Sequence, residues 1–465
     1  MSNTSLKITV AGIRGKFSES LLPSTALDFA ELFGTVLGGK KVVLGTETRL
    51  STSPIKHAVI SGLLATGCEI IDIGVVATPT VQLMVRHLQA DGGIMITASH
   101  NPIVWNGLKF ISSQGVFFDE TEMLGMFKRY DTLQEAKHQS ITTEELVRAS
   151  GIAYANIHSI GTLSCFEGAH QIHLDRILHQ IDTSLVKAAK LKVVVDCCNG
   201  AGAVMNPLLF RLLGLNAILI NEKPDGKFTR EPEPLPQNLG DLIQAVKHHK
   251  ADIGFAQDAD ADRLAIVNEK GQPIGEDYTL VLTMKYLLEN HPNPVGKVVA
   301  TNLSTTRAFD DVANQYGALI IHTKIGEVNV SKALMENDSI IGGEGNGGVI
   351  IPSIGYGRDS FAGIAFMLEY MAKTKLSVSQ LVAQIPTYHV VKKKRDLNSN
   401  AEIQPILDRT KAAYSGEKID ETDGVKVILK DGWLHVRPSN TEPIVRYFAE
   451  AKTLAEAQRL VESVY

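Results

Sequence analysis

The stretch TASHNP, residues 97–102, places a serine beside a histidine and an Asn-Pro pair, directly after the apolar run 94–96. Ser99, flanked by His100, is in that setting a candidate nucleophile. An ordinary turn is the competing reading, because Ser, Asn and Pro are common turn formers. A second stretch, DADADR, sets Asp258, Asp260 and Asp262 at alternate positions before Arg263. Alternate side chains of an extended or tightly looped backbone point the same way, so three carboxylates converge. Converging carboxylates repel unless a cation lies among them, and oxygen-only donors suit magnesium. An EF-hand reading fits Asp258, Asp260, Asp262 and Glu269 at loop positions one, three, five and twelve. It fails at position six, where Arg263 stands in place of the required glycine, and the flanks read as strands.

Two glycine-rich stretches imitate nucleotide sites. GTVLGGKK, residues 34–41, has Lys41 where a P-loop needs Ser or Thr, and it ends a helix pattern instead of following a strand. GEGNGG, residues 343–348, has dinucleotide spacing but runs into Val-Ile-Ile-Pro, which cannot be the required helix. It leaves Glu344, an acid on a glycine loop able to grip a polyol through hydrogen bonds. RPSNTEP, residues 437–443, gathers Arg437, Ser439, Asn440 and Thr441 on a turn after a strand. That inventory suits a phosphate, with arginine able to bind it bidentately, although the same residues also make plain turns.

These groups need elements to hold them. Residues 41–44, 69–73 and 93–97 read as strands, with helices opening at an Ser53 N-cap followed by Pro54, and at Thr78-Pro79. The same alternation returns at 192–196 (followed by NGAGA and a helix ending near Gly214), 297–301 and 318–322, which predicts α/β layers. The Pro- and charge-rich run 222–238 reads as a long functional loop. Residues 425–429 and 433–437 form a hairpin pattern about Asp431-Gly432, then comes a strand at 444–450 and a final helix opened by a Thr453/Glu456 capping box. A chain of 465 residues exceeds one core. The expected domains are 1–160, 161–270, 271–385 and 386–465. A net charge of -5 without a long basic run argues against nucleic acid, so an anionic ligand must be held by local cations. No apolar run approaches the roughly 18 residues that span a bilayer, and the first residues lack a signal-peptide layout. Four cysteines, two of them adjacent, suit neither a disulfide framework nor a zinc site. A cytoplasmic protein with reduced thiols is expected.

Taken together, the motifs and their order resemble the α-D-phosphohexomutases along essentially the whole chain. TASHNPIVWNGLK resembles that family's phosphoserine loop, which ends on Lys109; DADADR resembles its metal loop, GEGNGG its sugar-recognition loop and RPSNTEP its phosphate-binding loop. AGIRGKF resembles the stretch that brings Arg14 to the centre, and Lys324 in TKIGE resembles a substrate-cleft position. The resemblance implies three similar α/β domains with mixed sheets and a smaller C-terminal α+β domain around a central cleft. It implies a phosphoserine at Ser99 that exchanges its phosphoryl group with a hexose phosphate through a bisphosphate, with magnesium held by Ser99 and the three aspartates. It also implies a sugar bisphosphate as activator of the phosphoserine form. Three aspartates, a phosphoserine of about -2 and magnesium leave roughly -3, which Arg14, Lys109 and Arg263 are placed to offset. Lys109 is the expected general acid/base if its pKa is lowered, and His100 the second choice. The sugar loop departs from the common Gly-Glu-x-Ser-Gly-His by Asn346 and Gly348, a variant resembling archaeal-type phosphoglucosamine mutases. Thr46 and Glu47 replace the usual Arg and Asp of the family. A phosphomannomutase/phosphoglucomutase is the near alternative. A non-enzymatic sugar-phosphate-binding module would not need Ser99, three aspartates and Lys109 together.

Overall fold

In the chain's computed structural model, residues 6–9, 12–139, 142–439 and 444–465 are described. They build four sheets. In the first, strands Gly92–Ile96, Lys41–Thr46, Glu69–Val75 and Thr162–Cys165 run parallel, and Trp105–Ser112, Gly12–Lys16 and Lys7–Thr9 extend it antiparallel. The second and third share one plan, three parallel strands and one antiparallel edge. Ile253–Gln257, Val193–Asp196 and Ala217–Ile220 carry Leu264–Asn268; Leu319–Thr323, Val298–Asn302 and Ile341–Glu344 carry Gly348–Ile350. The fourth sheet, His389–Asp396, Ile444–Ala451, Gly432–Pro438, Val425–Leu429 and Lys418–Asp420, is wholly antiparallel. The architecture is thus three α/β domains with mixed sheets and a smaller C-terminal domain, as expected.

The inner parallel strands Gly92–Ile96, Lys41–Thr46, Val193–Asp196 and Ile253–Gln257 are buried runs, as strands covered on both faces must be, whereas the edge strand Thr162–Cys165 is exposed. One core is continuous from Val43 and Met95 of the first sheet through Val195 and Phe255 of the second to Val299 and Phe361 beside the third. Burial of that shared face holds the three domains against one another. A separate core built on Phe29, Phe33 and Phe110 backs the other face of the first sheet, and Val427, Leu434 and Tyr447 centre the C-terminal one.

Local signals are met with two shifts. The helix expected from an Ser53 cap is Thr52–Ala65, and Ser51 holds the cap position. The Ser51 hydroxyl accepts from Asn106 Nδ2 (2.9 Å) instead of capping the helix. The C-terminal hairpin turns on Lys430 and Asp431, because Leu429 pairs with Gly432. Gly432 is needed for close approach, since a Cβ there would lie 2.0 Å from the Glu450 carbonyl oxygen. Gly214 closes its helix in the left-handed conformation, and the Thr453/Glu456 capping box is present. Among the described residues, no helix is long and apolar enough to cross a membrane.

Candidate active site

Three of the four motifs occupy one equivalent place in the first three domains: the turn from a parallel strand into the antiparallel strand that follows it. Gly92–Ile96 leads through Ser99 to Trp105–Ser112, Ile253–Gln257 through the three aspartates to Leu264–Asn268, and Ile341–Glu344 through Asn346 to Gly348–Ile350. The third is a hairpin pairing Glu344 with Gly348, which excludes the helix a dinucleotide site needs. GTVLGGKK likewise falls at the end of the helix Pro23–Leu37, with Gly38 left-handed at its cap.

Ser99 has φ +50, a conformation side chains rarely adopt, and is 1% exposed. Such an outlier persists where its surroundings over-determine it. The Ser99 N–H donates to Thr97 Oγ1 (2.7 Å), and Arg49 donates to the Ser99 carbonyl (2.9 Å) and to that of Asn101. Arg14 donates to Asn101 Oδ1 (2.8 Å). Glu47 neutralises Arg49 at 3.0 Å, both buried, and the Phe228 ring stacks 4.9 Å from the guanidinium. Phe228 belongs to the predicted long loop, which is anchored where Arg230 donates to Asp196 (2.6 Å) and the Gln257 carbonyl (2.7 Å).

That grip brings Ser99 Oγ to Asp258, donating to Oδ2 at 2.9 Å across the domain boundary. Asp258 Oδ1 accepts from the backbone N–H groups of Asp262 and Arg263 at 3.1 and 3.2 Å. Lys109 donates to Asp260 (2.7 Å) and Asp262 (3.1 Å), Thr78 to Asp260, and Arg358 to Asp262 (2.7 Å). All three aspartates are fully buried. Burial and the neighbouring Asp262 and Asp260 charges push Asp258 well above the usual carboxylate range. Burial presses on Asp262 in the same sense, but Arg358, Lys109 and Arg263 outweigh it and hold that carboxyl far below the usual range. Lys109 runs opposite to the condition set for a base. Burial works to lower it, yet Asp260 and Asp262 raise it above the ordinary lysine value, so it is held as a cation. Burial, then Arg263 and Arg14, keep His100 well below the ordinary imidazole value and therefore neutral.

The donor set fits a hard divalent cation. One oxygen from each aspartate lies within 4.8 Å of the others. No hydrogen-bond donor among the described residues reaches Asp260 Oδ1 or Asp262 Oδ1, both buried.

A cleft of about 760 Å³ opens beside this cluster, lined by Arg14, His100, Arg263, Glu344, Asn346 and Arg437 among others. Arg263 also donates to Glu233 (3.2 Å). Glu344 accepts from Asn302 (2.9 Å), the Gly326 N–H (3.1 Å), Asn346 (3.3 Å) and Arg358 (2.6 Å). Burial alone would raise its pKa, but Arg358 and Asn302 bring it below the usual value. Arg437 donates Nε to Asp423 (3.1 Å), and the Ser439 N–H donates to the Ile444 carbonyl (2.9 Å). Lys324 is exposed, and its neighbour Ile325 lines the cleft. Asn440 and Thr441 lie outside the described residues.

Sequence reasoning missed the two buried arginines that join these loops. Arg49 stands in GTETR, where the departures at Thr46 and Glu47 drew attention away from it; its partner Glu47 is the acid that the site retains. Arg358 contacts Asp262, Glu344 and Glu327 at 2.7, 2.6 and 3.0 Å. The Arg358-Asp359 pair, the only charged residues between Glu344 and Glu369, was the available signal. Arg358→Ala removes the arginine shared by those three buried carboxylates, and losing one partner of a buried ion pair costs about 3–5 kcal/mol. Urea unfolding of the metal-free protein should show a loss of that size. A loss below about 1 kcal/mol, the size of an exposed pair, would show that the network does not hold the loops together.

Comparison with known proteins agrees with this geometry. Phosphoglucomutase/phosphomannomutase α/β/α domains I, II and III match residues 6–137, 171–271 and 275–388, and the C-terminal domain of the same family matches 390–465. A phosphoglucomutase/phosphomannomutase of Thermococcus kodakarensis is 38% identical, aligned over 97% of this chain and 96% of its own. A probable phosphoglucosamine mutase of Methanopyrus kandleri is also 38% identical, over 97% and 95%. The crystal structure of a phosphoglucomutase/phosphomannomutase family protein from Burkholderia thailandensis superposes with a TM-score of 0.83 at 27% identity, covering 99% and 96% of the two chains. With all four domains matched in order on a fold and an acidic cluster of this kind, the chain belongs to the phosphoglucomutase/phosphomannomutase family of mutases.

Proposed function

We propose that this mutase interconverts the 6- and 1-phosphates of glucosamine through a phosphoserine at Ser99 and a bisphosphorylated sugar. The observation that carries the mechanism is the 2.9 Å contact between Ser99 Oγ and Asp258, within a triad whose other members are bound to Lys109. Asp258, Asp260 and Asp262, with a phosphoryl oxygen on Ser99, would hold magnesium, which supplies charge neutralisation to a transferring phosphoryl group. In the first transfer the Oγ–P bond breaks as a bond forms from the sugar hydroxyl oxygen to phosphorus. The hydroxyl proton passes to neutral His100, which lines the cleft, and the departing Ser99 oxygen takes a proton from the cationic Lys109, to which it is returned in the second transfer, while Arg14 and Arg263 offset the spread negative charge. After the bisphosphate turns over, the reverse sequence returns its other phosphoryl group to Ser99, and His100 gives the proton back. Added sugar bisphosphate would prime the serine by the same second half-reaction.

Arg437, Ser439, Asn440 and Thr441 are assigned to the phosphate that is not reacting, and Glu344, Asn346 and Lys324 to the sugar. The long Asn346 contact to Glu344 is the weakest of that carboxylate's four, so a sugar hydroxyl can replace it most easily. Glucosamine is favoured because the sugar loop carries Asn346 and Gly348, and because relatives such as the Methanopyrus kandleri protein bear the phosphoglucosamine mutase name. The Thermococcus kodakarensis relative supports the second reading, glucose and mannose phosphates. A coupled assay on the 1-phosphates of glucosamine, glucose and mannose decides between them. Highest kcat/KM on glucosamine 1-phosphate is expected, and a preference for either other sugar overturns the choice.

Arg437→Lys keeps the charge and loses the planar fork. Losing one charge-assisted pair costs about 1.5–3 kcal/mol, so KM should rise roughly ten- to hundredfold with a smaller fall in kcat. Glu344→Gln should instead change discrimination among the three sugars. The reverse assignment of effects would show that the two loops have been given each other's roles.

A further inference from the structure

The C-terminal sheet presents a feature that the phosphate loop does not account for. Lys394 pairs with Arg446, and Arg446 with Arg437, so three cations stand abreast across three neighbouring antiparallel strands. Directly opposed residues point to the same face, with Cβ atoms about 5 Å apart, and like charges so placed destabilise a sheet. One row along that face, Lys392 pairs with Phe448. Lys392, Lys394, Arg437, Arg446 and Phe448 all line the 760 Å³ cleft. Asp423 lies 3.1 Å from Arg437 and Glu276 3.7 Å from Lys392. The whole chain carries a net charge of -5, so this concentration of positive charge on a wall of the cleft is local.

We infer that Lys392 and Lys394, continuing the row of Arg446 and Arg437, form a second phosphomonoester site on the C-terminal sheet. Its ligand is the sugar bisphosphate, and its effect is to keep that intermediate on the enzyme while it turns over. A phosphate leaving Arg437 meets the next cation of the row before it meets solvent, so the ligand with two phosphates gains from the row and the monophosphate gains little. This rests on the mutase reading proposed above. Lys392 and Lys394 are not among the residues assigned to the chemistry or to the primary phosphate site, so their replacement leaves both in place.

The test is the double variant Lys392→Ala/Lys394→Ala. Calorimetric titration should show glucose 1,6-bisphosphate binding weakened about tenfold or more, the scale of one charge-assisted contact, and glucose 6-phosphate binding changed less than about threefold. In turnover the variant should need correspondingly more added bisphosphate to stay active. Unchanged bisphosphate affinity, or equal weakening of both ligands, overturns the inference. If the wild type converts no hexose phosphate, the mutase reading fails by itself, and the titration still decides on the cation row.

Discussion

Ser99→Ala will lose about 10⁴-fold or more in turnover on every hexose phosphate the wild type converts, the scale on which removal of a covalent nucleophile is felt. The variant should fold. Among the described residues the hydroxyl's one side-chain hydrogen bond is to Asp258, and the loop is held by Thr97, Arg49 and Arg14 instead. Alanine meets the same left-handed backbone as serine, so the strain at φ +50 is unchanged. A melting temperature within a few degrees of wild type, together with lost activity, is the expected pair of results. Ser99→Ala with substantial residual mutase activity would remove Ser99 from the chemistry.

Asp258→Asn separates metal binding from folding. In the metal-free protein Asp258 sits against Asp260 and Asp262, fully buried, and its raised pKa records how unfavourable its charge is there. Asparagine keeps the shape and an acceptor for the Asp262 and Arg263 N–H groups while removing that charge. The variant should therefore melt no lower than wild type in chelator. Wild type should gain stability on adding magnesium, by mass action, and Asp258→Asn should lose most of that gain along with its turnover. Measuring melting temperature in chelator and in magnesium for both proteins checks this without reference to activity. A variant that responds to magnesium as strongly as wild type would place the cation elsewhere.

The groups proposed to react were legible because they are local. Ser99 and His100, or three alternating aspartates, form patterns within six residues, and the α/β alternation around them follows from short periodic signals. What sequence did not reveal is what holds the loops against each other. Arg358 meets Asp262 across 96 positions and Arg49 meets the Ser99 carbonyl across 50. No local period encodes such a pairing; it exists only once the shared core has brought the sheets together. The condition on Lys109, a lowered pKa, could not be read for the same reason, because burial alone would lower it and only the folded position of Asp260 and Asp262 reverses the sign. The Ser51 hydroxyl leaves the cap of its helix unmade and serves Asn106 of the strand Trp105–Ser112, again a tertiary partner.

The measurement that bears most directly on the mechanism is mass spectrometry of the intact protein, with the phosphate mapped to its residue, before and after mixing with the substrate. After treatment with glucose 1,6-bisphosphate and magnesium, wild type should carry one phosphate, on Ser99. Mixing with hexose 6-phosphate should transfer that phosphate to the sugar, giving free bisphosphate and unmodified protein. A phosphate mapped to another residue, or mutase turnover by a chain that never carries one, would contradict the phosphoserine mechanism.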